Sequence, residues 1–86
     1  MSADAEAPHH QTPTNADLGR TIRQLRRARS MSIEDLAFAA NLHPTYLSGI
    51  ERGVRNPTWR KLCGVADALE IPISAVTSSA EREATA

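Results

Sequence analysis

Through the middle of the chain, apolar residues return at intervals of three and four, the spacing of one face of a helix. Leu18, Ile22 and Leu25 form a first stripe, with Arg20, Arg23, Arg27 and Arg29 around it, and predict a helix from about Asp17 to Arg29. Ser30-Met31-Ser32 breaks it. Ser32 followed by Asp35 has the form of a capping box with Asp in place of Glu, so a short second helix is expected through Ile33, Leu36, Ala37 and Ala40. Asn41 suits the left-handed turn residue, and Leu42 is expected to plug the core behind it. Pro44 fits the first position of a third helix, Pro44 to Arg52, which turns Leu47 and Ile50 inward and stops at Gly53. After Asn56-Pro57-Thr58 a fourth helix carries Trp59, Leu62, Cys63, Ala66 and Leu69 on one face. Ile71, Ile73 and Val76 predict a last short helix, with Pro72 leaving its start open.

The ends read differently. Residues 1–15 are rich in Ala, Pro, Thr and His without periodicity, and residues 78–86 are small and polar. A flexible arm, a domain over residues 16–77 and a flexible tail are therefore expected. The hydrophobic fraction is 41% but aromatics make up only 3% of the 86 residues, so the core must be aliphatic, as in small helical bundles. An all-α, compact five-helix bundle is the expected fold.

Cys63 is the only cysteine, so no internal disulfide can form, and a core position or a reducing compartment suits it. No apolar run approaches the roughly 20 residues that span a bilayer, and the N-terminal stretch lacks the apolar run of a signal peptide. A cytoplasmic protein that avoids membranes is expected. His9 and His10 are adjacent but lack Cys, Asp or Glu at ligand spacing, so no metal or other cofactor is expected. No clustered nucleophile and base and no glycine-rich phosphate loop is present, which argues against an enzyme.

Net charge is zero, yet it is unevenly spread. Between Asp17 and Val76 nine cations face six anions, a balance of +3, while the flanks carry one cation and four anions, −3. A basic body with acidic ends suits a polyanionic partner.

Two short helices joined by a tight turn, the second bearing small polar residues, form a helix-turn-helix. Such a unit reads DNA when the second helix is slim enough for the major groove and the first braces it. The run Ser32-Ile33-Glu34-Asp35-Leu36-Ala37, then Asn41 to Gly53, then Arg55-Asn56-Pro57-Thr58 resembles the Cro/CI (XRE-like) family of phage repressors and restriction–modification controllers. The likeness spans about Leu18 to Val76, and Tyr46-Leu47-Ser48-Gly49-Ile50-Glu51-Arg52-Gly53 is its most diagnostic part.

The resemblance implies a lambda-repressor-like DNA-binding domain that regulates transcription, with double-stranded DNA and a second copy of the chain as partners. It places base contacts on His43, Pro44, Thr45, Tyr46 and Gly49, and backbone contacts on Ser32, Ser48, Arg55, Asn56, Arg60 and Lys61. Arg26 and Glu51 match a structural ion pair between the first and third helices. Dimer contacts are expected from Ile71, Ile73 and Val76. Three departures stand out: Ile33 where relatives often have Gln, and Pro44 and Gly49 where they often have long polar side chains. Direct readout then falls mainly to Thr45, Tyr46 and His43, with Arg55 as a further candidate. Two readings stay open for Tyr46 (DNA contact, to a thymine methyl or a phosphate, or core cover) and for His43 (base reader or helix cap). Trp59 suits the core or an interface. A second class of function is an antitoxin-like module binding a cognate toxin through its tails or a helical surface, and RNA polymerase is a further candidate partner.

Overall fold

In a computed structural model that describes residues 12–86, five helices follow one another. They are α1 (Asn15–Ala28), α2 (Ile33–Ala40), α3 (Pro44–Glu51), α4 (Trp59–Ala68) and α5 (Ile73–Thr85). Their inward faces meet in an aliphatic core of Ile22, Leu36, Ala37, Leu47, Ile50, Leu62, Val65, Ala66, Leu69 and Val76. The aromatic residues stay at its margin: Phe38 is 90% and Trp59 63% exposed, and Tyr46 only flanks the cluster. Trp59 therefore lies outside the core, contrary to one of its two expected places. Cys63 is half-buried.

The helix starts are set by side chains. Ser32 Oγ accepts the Asp35 amide at 3.0 Å while the Ser32 amide donates to Asp35 Oδ2 at 3.0 Å. A second box of the same kind begins α1. There the Asp17 amide donates to Thr14 Oγ1 at 3.1 Å and the Thr14 amide to Asp17 Oδ2 at 2.8 Å. That box starts α1 two residues before the expected Asp17. Backbone hydrogen bonds from Thr14 and Ser32 hold the Asp17 and Asp35 carboxyls below the ordinary aspartate range. Both groups are depressed in the folded state, so the stabilisation is complete above their unfolded value of about 3.9 and is lost as pH falls through the lower folded values. Melting temperature should accordingly drop below about pH 4. An Asp17→Asn/Asp35→Asn variant should show a shallower acid limb; an identical limb would remove the caps as its cause.

The ends of α1 to α4 share one device. Ser30, Asn41, Gly53 and Glu70 all have positive φ, between 56° and 79°. Each is followed by an apolar residue whose amide reaches the carbonyl five residues back. These bonds are Met31 to Arg26, Leu42 to Ala37, Val54 to Gly49 and Ile71 to Ala66. This is the Schellman closure, which satisfies the last carbonyls of a helix and folds an apolar side chain back beside it. Asn41 and Gly53 were legible as such stops; Ser30 and Glu70 were not, because local sequence does not favour them there.

The chain's end departs from expectation. Most of residues 78–86 belong to α5, which packs against α1. Val76 and Ala80 are buried at helical spacing. Glu83 accepts from Arg20 Nε and from Gln24 Nε2, each at 3.1 Å. An inward face of small residues lets the helices approach closely, and the carboxylate clasp ties down the last turns. The expected closing helix is thus longer, and this segment is not a free tail for a protein partner. The expected arm lies mostly outside the described residues, as do His9 and His10.

Candidate nucleic-acid interface

α3 packs on α1 and α2. Its attachment to α1 is ionic. Arg26 Nε donates to Glu51 Oε2 at 2.7 Å and Nη2 to Oε1 at 2.9 Å, while Nη1 donates to the Met31 carbonyl at 2.8 Å. Both side chains are buried, 10% and 5% exposed, and hydrogen bonding to Glu51 raises the Arg26 pKa. A bidentate fork of this kind fixes orientation as well as distance. The expected pair is present and locks the last residue of α3 to α1.

A second, non-polar contact brings the same helices together. A Cβ placed on Gly19 of α1 would lie 2.4 Å from the Ile50 carbonyl oxygen and 2.5 Å from that of Glu51. Sequence reasoning passed over Gly19. Its only signal was a glycine inside an otherwise helical stripe, which often marks a close packing contact.

The leading end of α3 faces outward. His43 is its N-cap, with Nδ1 accepting the Thr45 amide at 3.1 Å, and Pro44 occupies the first turn. His43 therefore does serve as a cap; because Nδ1 is the acceptor, a neutral ring carries its proton on Nε2, leaving an N–H donor on the exposed side. Thr45 is exposed; Pro44 and Ser48 are half-buried and, with Thr45, Ile33 and Glu34, line a shallow concavity between α2 and α3. Tyr46 is half-buried beside the core, and Lys61 Nζ sits 4.6 Å from its ring centroid.

Gly49 does not present itself as a contact. It is buried, and a Cβ there would meet Arg55 Cγ at 2.6 Å. The Arg55 stem lies across α3 where a side chain at residue 49 would otherwise project, with Nε 3.5 Å from that point, and Arg55 is itself exposed. The bare backbone at Gly49 is what makes that room.

Ser32 is exposed at the start of α2, its hydroxyl oxygen already accepting from Asp35. Asn56 and Arg60 are exposed near the start of α4, whose N-cap Thr58 accepts the Lys61 amide at 3.2 Å. Arg55, Arg60 and Lys61 have no ion-pair partner among the described residues, and neither do Arg23 and Arg27 of α1 or Arg52 at the end of α3, whereas Arg20 and Arg26 of α1 and Arg29 just after it are each paired with a carboxylate. Of the unpaired cations, Arg55 and Lys61 lie directly against α3. Of the expected dimer residues, Ile71 and Ile73 are half-buried, but Val76 is fully buried within its own chain and can meet no second copy. Its inward turn follows from the tight docking of α5.

The helix-turn-helix domain family model matches residues 17–77. The chain belongs to the helix-turn-helix family. Among relatives of this helix-turn-helix chain, the control protein C.BamHI of Bacillus amyloliquefaciens is 44% identical over 54 residues, 62% of the chain and 67% of that protein. The immunity repressor of Bacillus phage phi105 is 41% identical over 59 residues, 69% of the chain but only 41% of the repressor. A solved structure of the restriction–modification controller C.Esp1396I, a tetramer in complex with its natural 35 base-pair operator, superposes with a TM-score of 0.80. It is 30% identical to this helix-turn-helix chain and the match covers 88% of the chain and 100% of that one. These findings agree with the resemblance read from residues 32–58, and the bundle matches the expected all-α fold. No described helix is long and apolar enough to cross a membrane.

Proposed function

We propose that this chain is a sequence-specific double-stranded DNA-binding transcription regulator, acting as a homodimer on a two-fold symmetric operator in the cytoplasm. The observation that carries this is the outward leading half of α3, flanked by unpaired cations and anchored to α1 by the buried Arg26–Glu51 fork. Thr45, Tyr46, the Nε2–H of His43 and the Arg55 guanidinium face base edges, and Arg55 moves here from backbone contact to readout. An arginine is the residue best suited to a guanine edge in the major groove. Ser32, Ser48, Asn56, Arg60 and the N-terminus of α4 hold phosphates, which position the protein without reading sequence. Ile71 and Ile73 remain as contacts for a second copy. The family relationship, with controllers and repressors among the relatives, supports the same reading over an enzymatic one.

Selection of bound duplexes from random DNA tests it, followed by affinity measurement on the selected site and a scrambled one. Arg55→Ala and Thr45→Ala should each weaken the selected site by about 1–3 kcal/mol, and the scrambled one far less. Arg60→Ala should weaken both alike and lower the salt slope by about one. A protein that enriches no motif, or binds as one chain per site, would contradict the proposal.

A further inference from the structure

α3 rests on α1 and α2, whereas α4 packs on α2 and α5. Between the recognition helix and the start of α4, the Lys61 ammonium sits over the Tyr46 ring, 4.6 Å from its centroid. That is well inside the roughly 6 Å at which a cation is drawn to an aromatic face. The backbone beneath each side chain is held in a helix. Lys61 is the third residue of α4, its amide tied to Thr58 Oγ1 at 3.2 Å, and Tyr46 is packed half-buried against the core.

We propose that Lys61 is a positioning residue for base discrimination, its ammonium holding the Tyr46 ring in one orientation on the leading half of α3. The proposal rests on the DNA-reading function above. An ammonium has three N–H donors, so the ring face leaves others free for a phosphate. A cation that touched phosphate alone would add the same free energy on every sequence. A cation that also orders an aromatic side chain beside the bases does not. The ring is presented in a single pose, and a duplex whose edge fits that pose gains over one whose edge does not. Arg60, one position earlier, has no cation–ring contact among the described residues and serves as the comparison.

The test uses the full chain with Lys61→Met, Lys61→Arg, Tyr46→Leu and the Lys61→Met/Tyr46→Leu double variant. Each is titrated by fluorescence anisotropy against the selected duplex and a scrambled duplex of equal length, across a salt series. Lys61→Met should cut the ratio of the two affinities about two- to fivefold. Lys61→Arg should restore it, because a guanidinium also stacks on a tyrosine face. In the Tyr46→Leu background, Lys61→Met should leave the ratio unchanged and alter only the salt slope, by about one. Equal weakening of both duplexes by Lys61→Met with Tyr46 intact would overturn the proposal. Proton NMR of the free protein separates the two levels: an upfield ring-current shift of the Lys61 ε-methylene, lost in Tyr46→Leu, reports the contact without DNA. Absence of that shift sinks the positioning role alone. A wild type with the shift intact that binds both duplexes equally sinks the DNA-reading function instead.

Discussion

Alanine at position 19 is expected to lower the melting temperature by about 10 °C and to weaken DNA binding with it. The added methyl would lie 2.4 Å and 2.5 Å from two carbonyl oxygens, those of Ile50 and Glu51, and 2.8 Å from the Glu51 carbonyl carbon. These are backbone atoms at the end of α3, and the Ile50 carbonyl also accepts the Gly53 amide, so no side chain can swing aside. α1 and α3 must move apart. Overpacking of this kind costs typically 1–3 kcal/mol and occasionally more, which outweighs the roughly 1 kcal/mol that alanine gains over glycine inside a helix. The displaced element is the recognition helix, and the fork between Arg26 and Glu51 is stretched by the same movement. Gly64→Ala is the matched control. Its Cβ would meet nothing closer than the Ala40 carbonyl oxygen at 3.9 Å, so there the propensity gain stands alone and melting should rise. Thermal unfolding of both variants decides the matter: a Gly19→Ala protein as stable as wild type would show that the two helices do not touch as described.

The second large effect comes from Glu51. Removing its carboxylate by Glu51→Ala leaves the Arg26 guanidinium, only 10% exposed, with the Met31 carbonyl as its remaining hydrogen-bond partner and the more distant charge of Glu34. Stranding a buried charge costs about 3–5 kcal/mol, which is a large part of the stability of a domain this small. The pair itself is a different quantity. Two charges taken from water repay much of their attraction as lost hydration, so replacing both with apolar residues of similar size is often neutral or better. Arg26→Met/Glu51→Met should therefore recover most of the stability lost in Glu51→Ala, giving a strongly non-additive cycle in denaturant unfolding. What the double variant should not recover is the fixed angle of α3, so its affinity for the selected duplex should stay below wild type. Additive losses would mean that the two residues contribute independently.

Legibility in the sequence varied with the range of the interaction. The second and third helices were placed to within a residue, because their signals are local: Ser32 caps with Asp35, Asn41 turns, Pro44 starts and Gly53 stops. The start of α1 was missed by two residues for want of reading Thr14 with Asp17. α5 was cut short because Val76, Ala80 and their neighbours make a low-contrast stripe; its stability depends on docking against Leu18-side residues of α1 and on Glu83 reaching Arg20 and Gln24. In the site, exposure of Thr45 followed from its place on the helix. The burial of Gly49 under Arg55 and the seating of Lys61 on Tyr46 did not.

From the amino acids alone came the helix-turn-helix order, the aliphatic core and the caps, and from the family resemblance they carry, the partner of Arg26. These rest on backbone preferences and on periodicities confined to a few neighbouring residues, or on a motif that carries its own long-range pair. Three-dimensional packing decided the rest: that Gly19 admits the end of α3, that Val76 turns inward rather than toward a second copy, and that Arg55 and Lys61 bear on the recognition helix in unlike ways. Each of these depends on the distance between atoms far apart along the chain, and close packing makes such distances decisive at the scale of a single methyl group.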